Sequence, residues 1–192
     1  MHLQATFTLA DLTEALVSFT PLEIQLGDLE GRERTLVIDR PLEVTLVAGR
    51  GLRIATAARF TWTIAGLAVP MTVKSASLLL IPEVVVLEGR EALRFLLLLE
   101  RADLKLLPAF VDEEFVERVN AALLAEDARP TWRFLDTLTF SVGLPERLRS
   151  ARTLRLKAQW GAVQVTDAAL NFTVSYEADV TKAALPAVAA AP

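Results

Sequence analysis

The sequence predicts an α+β fold: a helix, four long antiparallel strands, a second amphipathic helix, then two to three strands. Three observations carry this. Hydrophobic residues make up 53% of the 192-residue chain and mean hydropathy is +0.39. Even so, no uncharged stretch reaches the roughly 18 residues that a membrane-spanning helix needs. The apolar residues instead alternate with polar ones along extended segments, the period of strands buried on one face. These segments run about 13 residues each, well above the usual five or six. Long twisted strands curl, so the sheet is expected to be highly curved, with the helices on its concave side. The length fits a single domain over 1–181, and the Ala/Pro-rich residues 182–192 read as a disordered tail.

Thr8-Leu9-Ala10-Asp11 opens the first helix, with Thr8 as cap and Asp11 in the capping-box position. Leu9, Leu12, Leu16 and Phe19 share one face, and Pro21 stops the helix. Gly27 and Gly31 mark a polar turn region. From Thr35 the period becomes two, with Leu36, Ile38, Leu42, Val44 and Leu46 on one parity. Gly49-Arg50-Gly51 signals a hairpin. The next strand sets Leu52, Ile54, Phe60, Trp62 and Ile64 against Arg53, Arg59, Thr61 and Thr63. Gly66 to Pro70 reads as a turn, Met71 to Leu87 as a strand bent near Pro82, and Glu88 to Glu91 as a tight connection. Leu93 to Leu107 is the fourth strand, and its Phe95–Leu99 run is apolar on both parities, as in a strand covered on both faces.

The second helix is expected after Pro108, with Asp112 as its N-cap and Glu113 and Glu114 in the first turn. Phe115, Val116, Val119 and Leu123 form its apolar stripe, and Arg129-Pro130 ends it. Strands are then expected over Trp132 to Val142, Thr153 to Val165 and Ala168 to Val180. The last is the cleanest, with Leu170, Phe172, Val174 and Tyr176 opposite Asn171, Thr173, Ser175 and Glu177.

Composition removes several function classes. A net charge of −4 gives no basic footprint for nucleic acid. With no Cys and a single His at position 2, the Cys–His and Ser–His nucleophile arrangements and the usual zinc ligand sets are excluded. The chain is therefore expected not to be an enzyme and to need no cofactor or metal. The carboxylates Asp112, Glu113 and Glu114 read as helix N-terminal charges. The first residues lack the charged and apolar regions of a signal peptide. That suits the cytoplasm if the chain is complete, and the periplasm if a leader was removed.

Two features leave alternatives open. Arg155 and Lys157, with Arg147, Arg149 and Arg152 nearby, suit either a solvated strand that discourages aggregation or a patch for anionic lipid headgroups in a peripheral membrane contact. The aromatics Phe60, Trp62, Phe95, Phe115, Trp132, Phe134, Phe140, Trp160 and Phe172 suit either core packing or the lining of a cavity. Two helices cover only part of six or seven long strands, so the surplus apolar face calls for a ligand, a partner or a second copy.

The opening Phe7-Thr8-Leu9-Ala10-Asp11-Leu12-Thr13-Glu14-Ala15-Leu16, and the entry Leu104 to Val116 into the second helix, resemble the tubular lipid-binding (TULIP) superfamily. The likeness is to its small bacterial YceB-like members and spans residues 7–180. It implies a long, highly curved antiparallel sheet wrapped around a long amphipathic helix, with a groove that holds acyl chains. Lipid contacts would then fall on Leu12, Leu16, Phe19, Phe60, Trp62, Phe95, Leu97, Phe115, Val119, Leu123 and Phe172. The expected function is carriage or transfer of a lipid or fatty-acid-like ligand. The rival reading is an interaction module that uses its apolar face for homodimerisation or partner docking.

Overall fold

The computed structural model describes residues 1–25, 35–64, 67–104, 109–125, 129–143 and 152–182. In chain order the elements are β1 (His2–Thr8), α1 (Leu9–Phe19), β2 (Leu22–Gln25), β3 (Thr35–Val47), β4 (Gly51–Ile64), β5 (Leu67–Leu87), β6 (Arg90–Leu104), α2 (Ala109–Leu123), β7 (Thr131–Trp132), α3 (Phe134–Thr137), β8 (Phe140–Gly143), β9 (Arg152–Val165) and β10 (Ala169–Lys182). Among the described residues 69% are strand and 19% helix, in two curled antiparallel sheets. The larger has the order β2-β3-β4-β5-β6-β7 and the smaller β1-β10-β9-β8.

This corrects the expected α+β architecture of one curved sheet wrapped around a long amphipathic helix. The helices are short, with 11 residues in α1, 15 in α2 and 4 in α3. The C-terminal strands do not extend the central sheet. They pair with β1 at the chain's start and form a sheet of their own. The apolar face that a long helix was expected to fill is therefore covered in part by a second sheet.

The cover is laid end to end along the six-stranded sheet. At one end Leu36, Ile38, Ala58, Phe60, Val73 and Leu104 pack under Phe115, Val119 and Leu123 of α2. At the other end Val44 and Leu52 meet Val165 and Leu170 of the smaller sheet, while Leu93 meets Phe134, Phe172 and Val174. Leu16 of α1 packs against the cores at both ends, so α1 bridges them.

Local chemistry explains most elements. The Thr8 hydroxyl accepts from the Asp11 N–H and the Asp11 carboxylate accepts from the Thr8 N–H, a complete capping box. On β4 the residues Leu52, Ile54, Thr56, Ala58 and Phe60 are buried while Arg59 and Thr61 are exposed. Thr56 is tolerated there because its hydroxyl donates to the Asp39 carbonyl at 2.9 Å. That carbonyl lies where β3 slips its register twice, between Ile38 and Pro41 and between Pro41 and Glu43. The paired slips keep Leu36, Ile38 and Val44 inside but turn Leu42, expected among them, out to solvent. Glu88 and Gly89, both at positive φ, form the β5–β6 turn.

Several boundaries differ from the sequence reading. Leu67 to Pro70 is strand rather than turn, because it pairs with Thr61 to Ile64. The expected strand Trp132 to Val142 is broken into β7, α3 and β8. Asp112 is not the N-cap of α2, which begins at Ala109; its carboxylate accepts from the Leu104 N–H at 3.0 Å. Lys182 belongs to β10, and the remaining tail, like Gly27, Gly31, Arg147 and Arg149, lies outside the described residues.

The edge of β6 beyond β7 is closed by side chains of α2. The Asn120 amide accepts from the Leu99 N–H at 2.8 Å and donates to the Leu99 carbonyl at 2.9 Å, standing in for a neighbouring strand. On the opposite face, Arg53 reaches Glu100 over the intervening β5 with Nε–Oε2 at 2.6 Å, above the fully buried Leu79. The Arg53 guanidinium holds the Glu100 carboxyl below its usual range, partial burial opposes this, and the Ser77 hydroxyl adds to the lowering.

Replacing Asn120 with Ala leaves two half-buried peptide groups unpaired. It is expected to cost about 2–4 kcal/mol and to lower Tm by roughly 5–12 °C. Asn120→Asp, which keeps the acceptor but loses the donor, should fall between, as read by thermal unfolding.

Candidate functional site

Nine of the eleven residues expected to line a groove fall into three groups. Phe60, Leu97, Phe115, Val119 and Leu123 come together, but as a packed core rather than a lining. The Phe60 and Phe115 rings stack at 4.6 Å, so α2 sits directly on the sheet. Phe95 and Phe172 belong to a second cluster around Phe134, a ring with 0% exposure that meets Phe172 edge-on at 5.1 Å. Leu12 and Leu16 are half-buried beside Val44, Leu52, Val165 and Leu170. Phe19 stands apart, 74% exposed at the end of α1. Trp62 lies in β4 opposite Val69, and its side chain is outside the described residues.

Arg155 and Lys157 do lie on an exposed strand face. Their cross-strand neighbours on β10 are Asp179 and Glu177, so opposite charges are interleaved along the face.

The two sheets are tied together by polar contacts along β9, most of which has no neighbouring strand on the β8 side. The Gly161 N–H donates to Glu91 at 2.7 Å and the Gly49 N–H to the Val165 carbonyl at 2.9 Å, while the Ala158 N–H donates at 3.1 Å to the hydroxyl of Thr139, in the connection from α3 to β8 of its own sheet. Gly161 is needed for close approach, since a Cβ there would lie 2.6 Å from the Phe134 ring. Beside this clamp, a pocket of about 150 Å³ lies between the β5–β6 turn and α3. Its arginines are already engaged, Arg90 with Asp136 at 2.5 Å and Arg133 with Glu88 at 2.9 Å. It is polar and below the roughly 300 Å³ of a small-molecule site.

A different region has the character of a site. On the inner face of the smaller sheet, Val142, Leu154 and Val180 form one row across β8, β9 and β10. Phe140, Leu156 and Ala178 form the next row, followed by Ala158 and Tyr176. The strip runs from open to covered: Val142 is 44% and Val180 50% exposed, whereas Tyr176 is 5% exposed. At the covered end the Tyr176 hydroxyl is buried with no hydrogen-bond partner among the described residues. Its ring meets that of Phe140 edge-on at 6.3 Å. Burial raises the phenol's pKa above its ordinary 10.0.

Such a strip offers apolar contact along its length and one hydroxyl at its end. Among the described residues no three His, Asp or Glu side chains converge on a metal position. No described helix is long and apolar enough to cross a membrane. The strip was half visible in the sequence. Tyr176 follows from the alternation in β10 and Phe140 was among the aromatics, but their meeting depends on β8 pairing with β9 across a connection that local pattern does not specify. Neither a protein-family model nor a curated protein matches the chain.

A buried hydroxyl without a partner costs about 1–3 kcal/mol. Tyr176→Phe is therefore expected to raise stability at neutral pH by about 1 kcal/mol. Because the folded-state pKa is raised, the neutral phenol's contribution is present below pH 10.0 and lost as pH climbs past it. Chemical denaturation between pH 7 and 11 should show an alkaline loss in the wild type that Tyr176→Phe lacks.

Proposed function

We propose that the protein binds a single-chain amphiphile, a lipid or fatty-acid-like molecule, for carriage and without catalysis. The observation that carries this reading is the half-covered apolar strip ending at the unpartnered Tyr176 hydroxyl. The chain packs on Val142, Leu154, Val180 and Phe140, and the phenol donates to an oxygen of the polar end. From Tyr176 to Val180 a strand spans about 13 Å. Eight methylenes at about 0.8 kcal/mol each give roughly 6 kcal/mol, which corresponds to a Kd of tens of micromolar. The resemblance to tubular lipid-binding proteins belongs to this proposal. Curled antiparallel sheets support it; the described helices are short, so the ligand is placed beside the second sheet rather than along the long central helix that the resemblance implied.

The test is titration of the delipidated full chain with a fluorescent fatty-acid analogue, alongside mass spectrometry of lipids extracted from the purified protein. Saturable binding is expected, with affinity at least tenfold lower in Val142→Asp and two- to tenfold lower in Tyr176→Phe. No bound amphiphile in the extract and no saturable binding would overturn the proposal. So would binding indifferent to Val142→Asp.

A further inference from the structure

The edges of the two sheets differ in how they are protected. Beyond the short β7, the β6 edge is capped by Asn120 and Asp112. Beyond the short β8, the β9 edge is capped by Thr139, Glu91 and Gly49. On the far side of the larger sheet, β2 has four residues, follows Pro21 and carries Glu23. Short strands, charges, prolines and side-chain caps are the usual means of preventing edge-to-edge pairing.

Among the described residues β1 has none of these. It is seven residues long, lies at the edge of the smaller sheet, and pairs with β10 without a register slip. From Leu3 to Thr8 it carries no charge, Pro or Gly. The hydrogen-bond phase is set by Met1 and Tyr176, which exchange both backbone bonds, at 3.0 Å and 2.7 Å. Alternation then directs the peptide groups of Leu3, Ala5 and Phe7 towards β10 and those of Gln4 and Thr6 outwards. On the apolar face of the strand, Leu3 and Phe7 remain 54% and 42% exposed.

We infer that β1 is the seam of a two-fold symmetric dimer, in which it pairs antiparallel with β1 of a second copy of this chain. The strand His2–Thr8 is centred on Ala5, so only a register centred there pairs its whole length. In that register Gln4 exchanges two backbone hydrogen bonds with Thr6 of the second copy and Thr6 does the same with its Gln4. Leu3 then lies opposite Phe7 on the apolar face, and the uncharged strand meets its copy without repulsion. The two four-stranded sheets become one sheet of eight. Such a seam is small, so the dimer is concentration-dependent.

The absence of cysteine makes the test specific. Opposed Ala5 positions form a non-hydrogen-bonded pair with Cα atoms about 4.5 Å apart, within disulfide reach. The two Leu3 positions lie about 13 Å apart along the seam, out of reach. Under mild oxidation Ala5→Cys is expected to cross-link at least tenfold faster than Leu3→Cys. In analytical ultracentrifugation the wild-type mass should rise from 21.0 kDa towards twice that between about 5 and about 500 μM. Gln4→Pro removes an outward N–H and the exposed Gln4 Nε2–Asn171 Oδ1 hydrogen bond, keeps the backbone ladder to β10, and should stay at 21.0 kDa with an unchanged circular dichroism spectrum. Thr6→Pro gives the same readout if Gln4→Pro fails to fold. A wild type that stays monomeric at about 500 μM would overturn the inference. So would equal cross-linking of the two cysteine variants, or a dimer that survives a folded proline variant.

Discussion

The fold depends on how the open side of β6 is closed. A β-strand edge presents unpaired donors and acceptors, and leaving both groups of one buried residue unmade costs several kcal/mol. Asn120 supplies the missing donor and acceptor to Leu99, and Asp112 supplies an acceptor to Leu104. These bonds fix α2 along the strand, so that Phe115, Val119 and Leu123 enter the apolar face. The register slip between Ser77 and Leu78, opposite Leu99 and Arg101, serves the same end. It moves the inward parity of β6 from Leu97 and Leu99 to Ala102 and Leu104, all of which meet the α2 core.

At 15 residues α2 is about 22 Å long, whereas β5 has 21 residues and spans about 70 Å. One helix cannot cover that face, so a second sheet covers the remainder. The smaller sheet is held there by Glu91 on Gly161, by Gly49 on Val165, and by the Phe134 ring against the bare backbone of Gly161. Its cover ends near Tyr176, leaving the row Val142, Leu154 and Val180 half open. The candidate site is thus a consequence of mismatched element lengths, and the excess of apolar residues over available cover has a definite place.

Strand parity and helix caps were legible in the sequence because they are local. The Thr8–Asp11 capping box, the alternation of β4 and β10 and the Glu88–Gly89 turn all follow from residues within a few positions of one another. What was not legible depended on distant partners. Leu3, Ala5 and Phe7 alternate, but only the pairing with residues 169–175 makes β1 a strand. The same pairing separates the C-terminal strands from the central sheet and removes the expected single curved sheet. Asp112 has the local setting of a helix cap, but its partner is the Leu104 N–H in the preceding strand. For the candidate site, Phe60, Phe115 and Val119 were correctly apolar and mutually close, but pattern alone does not distinguish a filled core from a lined groove.

The proposed binding of an amphiphile stands or falls on where that molecule lies. A fatty acid bearing a nitroxide on its chain, added to isotope-labelled protein, broadens amide resonances near the bound chain. Broadening is expected at Val142, Leu154, Leu156 and Val180, with the amides of Phe60, Phe115 and Val119 left sharp. Selective broadening under α2, at Phe60, Phe115 and Val119, would contradict it and place the ligand in a groove that opens between helix and sheet.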